Sequence, residues 1–223
     1  MDERVPTQEV TVQAGVAALP GFLSMPDPAR GLVVFVHGSG SSRFSSRNRF
    51  VAEALNAGGL ATLLFDLLTA DEHAIDAITA ELRFDIGLLT ERLVGVLDWI
   101  EQQSALQALP VVLFGASTGA AAALDAAAER PARVAAMISR GGRPDLATAL
   151  SRVRAPTLLI VGGDDIAVIG MNRRAAAQLA VEHRLEIVPG ATHLFEEPGT
   201  LEEVARLARA WCAAHLPGER DDA

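Results

Sequence analysis

The sequence predicts an α/β fold, a mostly parallel sheet of eight strands flanked by helices on both faces. Three observations carry this. Residues 32–36, 61–65, 111–114 and 157–161 are short, continuously apolar runs, as strands buried on both faces are. Helical segments stand between such runs, most plainly 84–101, where Ile86, Leu89, Leu93, Val96, Leu97 and Ile100 recur at helical spacing. The alternation of strand and helix continues to the end of the chain, with no repeat, linker or low-complexity block to divide it. With 223 residues and 50% apolar composition, the expectation is a single domain over 1–223.

Taken in order, 9–12 and 19–24 read as short strands, with Pro20-Gly21 breaking or bulging the second. Pro26-Asp27-Pro28 is a turn. The third strand, 32–36, runs into a loop of small residues, His37-Gly38-Ser39-Gly40-Ser41-Ser42. A helix over 48–57 is stopped by Gly58-Gly59, and strand 61–65 is closed by Asp66. Residues 67–82 are the least regular, with a short exposed helix expected around 71–76. After the long helix come strand 111–114 and an alanine-rich helix. Strand 134–138, the loop 140–144 and a short helix near 146–153 follow. Strand 157–161 ends in Gly162-Gly163-Asp164-Asp165. A helix over 172–179, a last strand at 185–188 and a closing helix over 201–215 complete the order, with 216–223 expected to fray.

Composition narrows the function. A net charge of −9 argues against nucleic acid and anionic membrane surfaces as partners. The polar start MDERVPTQEV shows no signal peptide, and no apolar run reaches membrane-spanning length, so a cytoplasmic location is expected. One cysteine, Cys212, forms no internal disulfide, which fits a reducing compartment; its helical neighbours suggest packing rather than catalysis. All 19 basic residues are arginine. Without lysine there is no Schiff base, phosphate-loop lysine or serine–lysine dyad, and without tyrosine no phenolic acid or base.

Residues 111–124, VVLFGASTGAAAAL, organise the rest. Strand, sharp turn and helix with G-x-S-x-G at the turn read as a nucleophile elbow. So tight a turn strains the serine and requires tiny residues two positions either side, which Gly115 and Gly119 supply. The hydroxyl of Ser117 is then held out above a helix N-terminus. The same pentapeptide also fits a plain small-residue turn.

The chain resembles the α/β-hydrolase superfamily, and within it the small, lidless dienelactone-hydrolase-type group. The resemblance rests on VVFVHGSGSSRFSSRN, FDLLT, LRFDIGLL, FGASTGAAAAL, VGGDD and GATHLFEEPG standing in the superfamily's order, and it spans nearly the whole chain. One departure matters: dienelactone hydrolases proper carry a cysteine nucleophile, whereas this elbow carries Ser117, which favours a serine esterase.

The resemblance implies a base late in the chain. Of the five histidines, His37 precedes the elbow and reads as structural, His73 sits in the acidic stretch, His183 looks exposed and His215 lies in a frayed helix end. His193 alone occupies the loop after the last strand, in Gly190-Ala191-Thr192-His193, and is the expected base. Asp164 and Asp165 both stand where the acid belongs. The superfamily pattern G-x-x-D-x-x-V fits Gly162, Asp165 and Val168, so Asp165 is taken, with Asp164 as a turn cap. The oxyanion hole should use the backbone amides of Thr118 and Ser39, with Gly38 and Gly40 letting backbone approach the substrate. A nucleotide loop is the rival there. Arg43 stands where a third glycine would be needed for a dinucleotide fingerprint, and a P-loop would need lysine.

Arg43, Arg47, Arg83, Arg140 and Arg143 either pair with local carboxylates or bind an acidic group on the substrate, Arg140 being the best placed because it follows a strand end. No cluster has metal-ligand spacing, so no metal and no cofactor are expected. The whole reads as a carboxylesterase-type hydrolase without a large lid, taking small esters or lactones. The alternatives are acyl transfer or carbon–carbon hydrolysis on the same triad, or a non-catalytic binding protein. Oligomeric state stays open.

Overall fold

Eight strands form one sheet: β1 (Thr7–Ala14), β2 (Ala17–Ser24), β3 (Leu32–Val36), β4 (Ala61–Phe65), β5 (Val111–Ala116), β6 (Val134–Arg140), β7 (Thr157–Gly162) and β8 (His183–Val188). The computed structural model describes residues 5–217. The strand order is β1-β2-β4-β3-β5-β6-β7-β8. β1 and β2 pair antiparallel, β2 meets β4 antiparallel, and all later pairs are parallel. The expected single domain with a mostly parallel sheet is what the chain forms.

The apolar runs explain the layering. β3 is buried throughout: Val33 and Phe35 face the layer of α1 (Ser46–Asn56) and α6 (Thr200–His215), while Leu32, Val34 and Val36 face the opposite layer. That second layer holds α3 (Ile86–Gln102) and α4 (Thr118–Glu129), with α5 (Ile166–Ala176) at its end. Side chains on alternate faces with both faces covered are why these strands carry almost no polar residue. The strand C-terminal ends of β3, β4, β5, β6 and β7 gather the loops that matter for chemistry.

Several expectations need correction. β2 is neither broken nor bulged at Pro20-Gly21; its register with β1 runs on through Thr11↔Pro20 and Val10↔Gly21. Glycine fits closely there, since a Cβ would lie 3.2 Å from the Leu64 carbonyl of β4. The short exposed helix expected around 71–76 is present but longer, as α2 (Ala70–Thr79), closed at its start by a capping box in which Thr69 and Glu72 satisfy each other's backbone amides. Helix α5 begins at Ile166, six residues before the expected 172, directly after Asp165. The short helix expected near 146–153 is two 3₁₀ turns, Pro144–Leu146 and Leu150–Arg152. α6 does not fray at His215. Its imidazole packs on Trp211 at 4.0 Å between ring centroids, and its Nδ1 bonds the Trp211 carbonyl. Of the expected frayed tail, 218–223 lies outside the described residues.

Candidate active site

The elbow is built as the glycine spacing requires. Ser117 sits between β5 and α4 at φ 50°, ψ −123°, a left-handed conformation that costs a non-glycine residue on the order of 1–3 kcal/mol. A Cβ on Gly119 would lie 2.3 Å from the Val36 carbonyl, and one on Gly115 would lie 2.5 Å from Ala120 Cα. The two glycines therefore let α4 press against β3 and β5. Ser117 stands at the N-cap of α4 but makes no capping bond, so its hydroxyl is left for other work.

His193 lies in the loop after β8. That loop is pinned on both sides. Thr192 bonds the Glu197 carboxylate through Oγ1 at 2.6 Å and through its amide at 3.0 Å, Phe195 is buried at φ 55°, and the Ala191 carbonyl rests against Gly162. The imidazole Nδ1 donates to Asp165 Oδ2 at 2.7 Å. The ring lies over Gly141, 3.5 Å from where a Cβ would sit, just past the Arg140 carbonyl that accepts the Ser117 amide. Ser117 Oγ forms no hydrogen bond to the ring here; such contacts commonly tighten when substrate binds. Asp165 occupies the N-cap of α5 without capping it, because its carboxylate turns to His193. Asp164 is exposed and joins the site only through its amide, which donates to the Ala191 carbonyl.

Ser39 and Thr118 do come together. The Ser39 amide donates to Thr118 Oγ1 at 2.9 Å, and Gly38 presses so close to the elbow that a Cβ there would lie 2.9 Å from Ser117 Cβ. Gly40 turns at φ 70°, with Arg83 Nη1 beside it. The loop over 38–45 is fastened to the end of β4. Asp66 accepts from the Arg43 amide at 2.7 Å and ion-pairs with its guanidinium. His37 is structural, as expected. Its Nε2 accepts from the Leu67 amide at 3.1 Å, which places the ring proton on Nδ1, donated to the Gly38 carbonyl at 3.0 Å. Burial holds its pKa below the ordinary histidine value, outweighing the Gly38 contact. Beside this loop opens a cleft of about 450 Å³, lined by Ser39 to Phe44, Leu67 to Ala70, His73, Arg83 and Leu89 among others.

The arginines divide. Arg43, Arg47, Arg83 and Arg143 pair with Asp66, Glu196, Asp76 and Asp145. Arg140 has no carboxylate partner among the described residues. It is 8% exposed, Nη2 donates to Asn48 Oδ1 at 3.1 Å, and Nε and Nη1 have no partner. Burial, and then the charge of Arg47, push its pKa down to about 10. Asn48, Asp66 and Asp76 had no signal in the sequence; their roles depend on partners elsewhere in the chain. Cys212 is buried, its thiol pushed up to about 12, as packing rather than reactivity requires. Among the described residues no group of histidine, cysteine or carboxylate side chains has the arrangement to hold a metal, and no helix is long and apolar enough to cross a membrane.

A strained serine between strand and helix, on a parallel sheet with an aspartate-bound histidine in a late loop, defines the α/β-hydrolase class. Within it, the dienelactone hydrolase family profile matches residues 19–215, and the chain belongs to that family of hydrolases. A crystal structure of a dienelactone hydrolase from Anabaena variabilis is 56% identical, covering 96% of this chain and all 100% of that one at a TM-score of 0.95. A Xanthomonas campestris protein described as an α/β serine hydrolase without lid shares the fold, at 20% identity and TM-score 0.76 over 97% of this chain and 99% of its own. A Mycobacterium tuberculosis protein named provisionally as a phosphoribosyl transferase is 56% identical over 95% of this chain, but the match spans only 47% of that protein. The chain thus spans about half the length of that curated relative.

Proposed function

We propose that this hydrolase cleaves small carboxylic esters or lactones through an acyl-enzyme on Ser117, with His193 as base and Asp165 orienting it. The observation that carries the reading is the 2.7 Å bond from His193 Nδ1 to Asp165, on a ring lying over Gly141, the residue after the Arg140 carbonyl that accepts the Ser117 amide. That bond fixes the tautomer with Nε2 as the acceptor, the form needed to take the Ser117 proton during attack. His193 then returns the proton to the leaving alkoxide, and water clears the acyl group by the same route. The amide of Thr118, at the first turn of α4, faces no carbonyl one turn back and is the first oxyanion donor. The loop at Ser39 closes over the elbow beside it, its amide bonded to Thr118 Oγ1. Gly38 and Gly40 keep its backbone close enough to the substrate.

The open cleft and the short connection from β6 to Asp165 favour small, short-acyl substrates. Arg140 favours an anionic group on one of them, because a buried guanidinium with two free nitrogens matches a carboxylate. The phosphoribosyl transfer in the mycobacterial relative's name is said of a protein about twice this long. It finds no support in a loop that lacks both the lysine and the third glycine of phosphate cradles. Labelling by a fluorophosphonate, with hydrolysis of a panel of short esters and lactones, tests the reading. Wild type should be labelled and Ser117→Ala should lose both labelling and hydrolysis; folded wild-type protein that does neither would be a binding protein instead. A competing alcohol acceptor during turnover separates hydrolysis from acyl transfer.

A further inference from the structure

The Ser39 amide, expected to face the reacting oxygen, instead donates to Thr118 Oγ1 at 2.9 Å. A hydroxyl that accepts through a lone pair keeps its own proton to give. Thr118 is 3% exposed, and among the described residues its hydroxyl proton meets no acceptor. The hydroxyl belongs to the residue directly after Ser117, and Gly38 pinches the loop against Ser117 Cβ. Oγ1 therefore lies between the elbow and the loop after β3, on the residue whose amide is the first oxyanion donor.

We propose that the Thr118 hydroxyl, polarised by the Ser39 amide, is the second donor of the oxyanion hole. This rests on the serine-hydrolase reading above and specifies how its charge is held. As Ser117 attacks, the substrate carbonyl oxygen gains negative charge and accepts two hydrogen bonds from one residue, from Thr118 N–H and from Thr118 Oγ–H. No proton is transferred and no covalent bond to the threonine forms. The Ser39 amide withdraws density from Oγ1, so its proton becomes a better donor than a free hydroxyl's, as chained hydrogen bonds reinforce one another. Threonine suits the place: its branched Cβ restricts χ1 and keeps the hydroxyl aimed.

The test measures kcat and KM on a short-chain p-nitrophenyl ester, and inhibition by a short alkyl boronic acid whose tetrahedral adduct mimics the charged intermediate. Thr118→Val and Thr118→Ala should lose about 10²-fold in kcat with KM little changed, the loss expected for one oxyanion donor. Boronate affinity should fall by the same factor. Thr118→Ser should stay within a few-fold of wild type. Melting temperature read beside them separates a loop-anchoring role, which would lower stability and raise KM without a matching loss of boronate affinity. A Thr118→Ala enzyme that keeps or gains kcat overturns the proposal, because the hydroxyl would then only have been blocking the Ser39 amide. Wild type that is neither labelled by fluorophosphonate nor active on esters fails at the earlier step and takes this inference with it. An active wild type with an active Thr118→Ala fails this inference alone.

Discussion

Asp164 and Asp165 are neighbours at the end of β7, and only their surroundings separate them. One is exposed and contributes its amide to a turn; the other lies 2.7 Å from the His193 ring. Asp165→Asn should therefore cost about 10³–10⁴-fold in kcat on an ester substrate, since the ring loses its tautomer and its counter-charge. Asp164→Ala should keep most of the activity, and equal losses would reverse the assignment. Arg140 poses a different case. A buried cation without a counter-ion is unfavourable to the folded protein. Arg140→Met should raise stability by about 1 kcal/mol in urea unfolding, by analogy with buried ionic groups replaced by apolar ones. The same variant should lose kcat/KM on an ester bearing a carboxylate while keeping it on the neutral analogue. Unchanged discrimination between the two esters would confine Arg140 to structure.

At the scale of elements, the join between α4 and the sheet sets the site. Gly119 touches the carbonyls of Val36 and His37, where a Cβ would come within 2.3 and 2.4 Å. Backbone cannot step aside as a flexible side chain can. Gly119→Ala should cost about 3 kcal/mol or prevent folding, measured by urea denaturation. Gly87→Ala, exposed near the start of α3, should be neutral or slightly stabilising, because alanine favours helix where nothing obstructs it. Helix α2 shows the opposite economy. Only Asp76 of its residues is buried, and it is held by its capping box and by Arg83, which bonds Asp76 through Nε at 2.6 Å and its amide at 3.0 Å.

Across the whole molecule, the ends of β3 and β4 are tied by a neutral imidazole. Protonated His37 would set an N–H against the Leu67 N–H. Its pKa is lowered in the fold, so between that value and the unfolded value of about 6.5 the unfolded chain binds the extra proton. Stability from this group is complete above about pH 6.5 and falls as pH drops below it, at most about 1.4 kcal/mol per pH unit. The unfolding free energy of wild type less that of His37→Gln should be flat from pH 7 to 8 by the ordinary histidine value and shrink toward pH 5. A difference that stays constant on acidification would mean the ring is not the neutral tie described.

How much was legible follows from the range of each interaction. The apolar runs placed the inner strands, though not their order in the sheet, because burial on both faces is written as consecutive side chains. Ser117 and its flanking glycines were readable because the strain they relieve spans five residues. The start of α5 was not, since Asp165 gives up the capping bond that usually marks a helix start; α2 was legible as a short exposed helix, but not its ties to Arg83 and Arg92. Sequence alone thus determined the layered sheet, the elbow and the late-loop histidine, all of them matters of local spacing. Only the tertiary structure decided that Arg43 and Arg47 meet Asp66 and Glu196 while Arg140 meets no carboxylate among the described residues, and that the Ser39 amide goes to the Thr118 hydroxyl. Each of those depends on two groups far apart in the chain coming within hydrogen-bond distance, and no local pattern records a meeting of that kind.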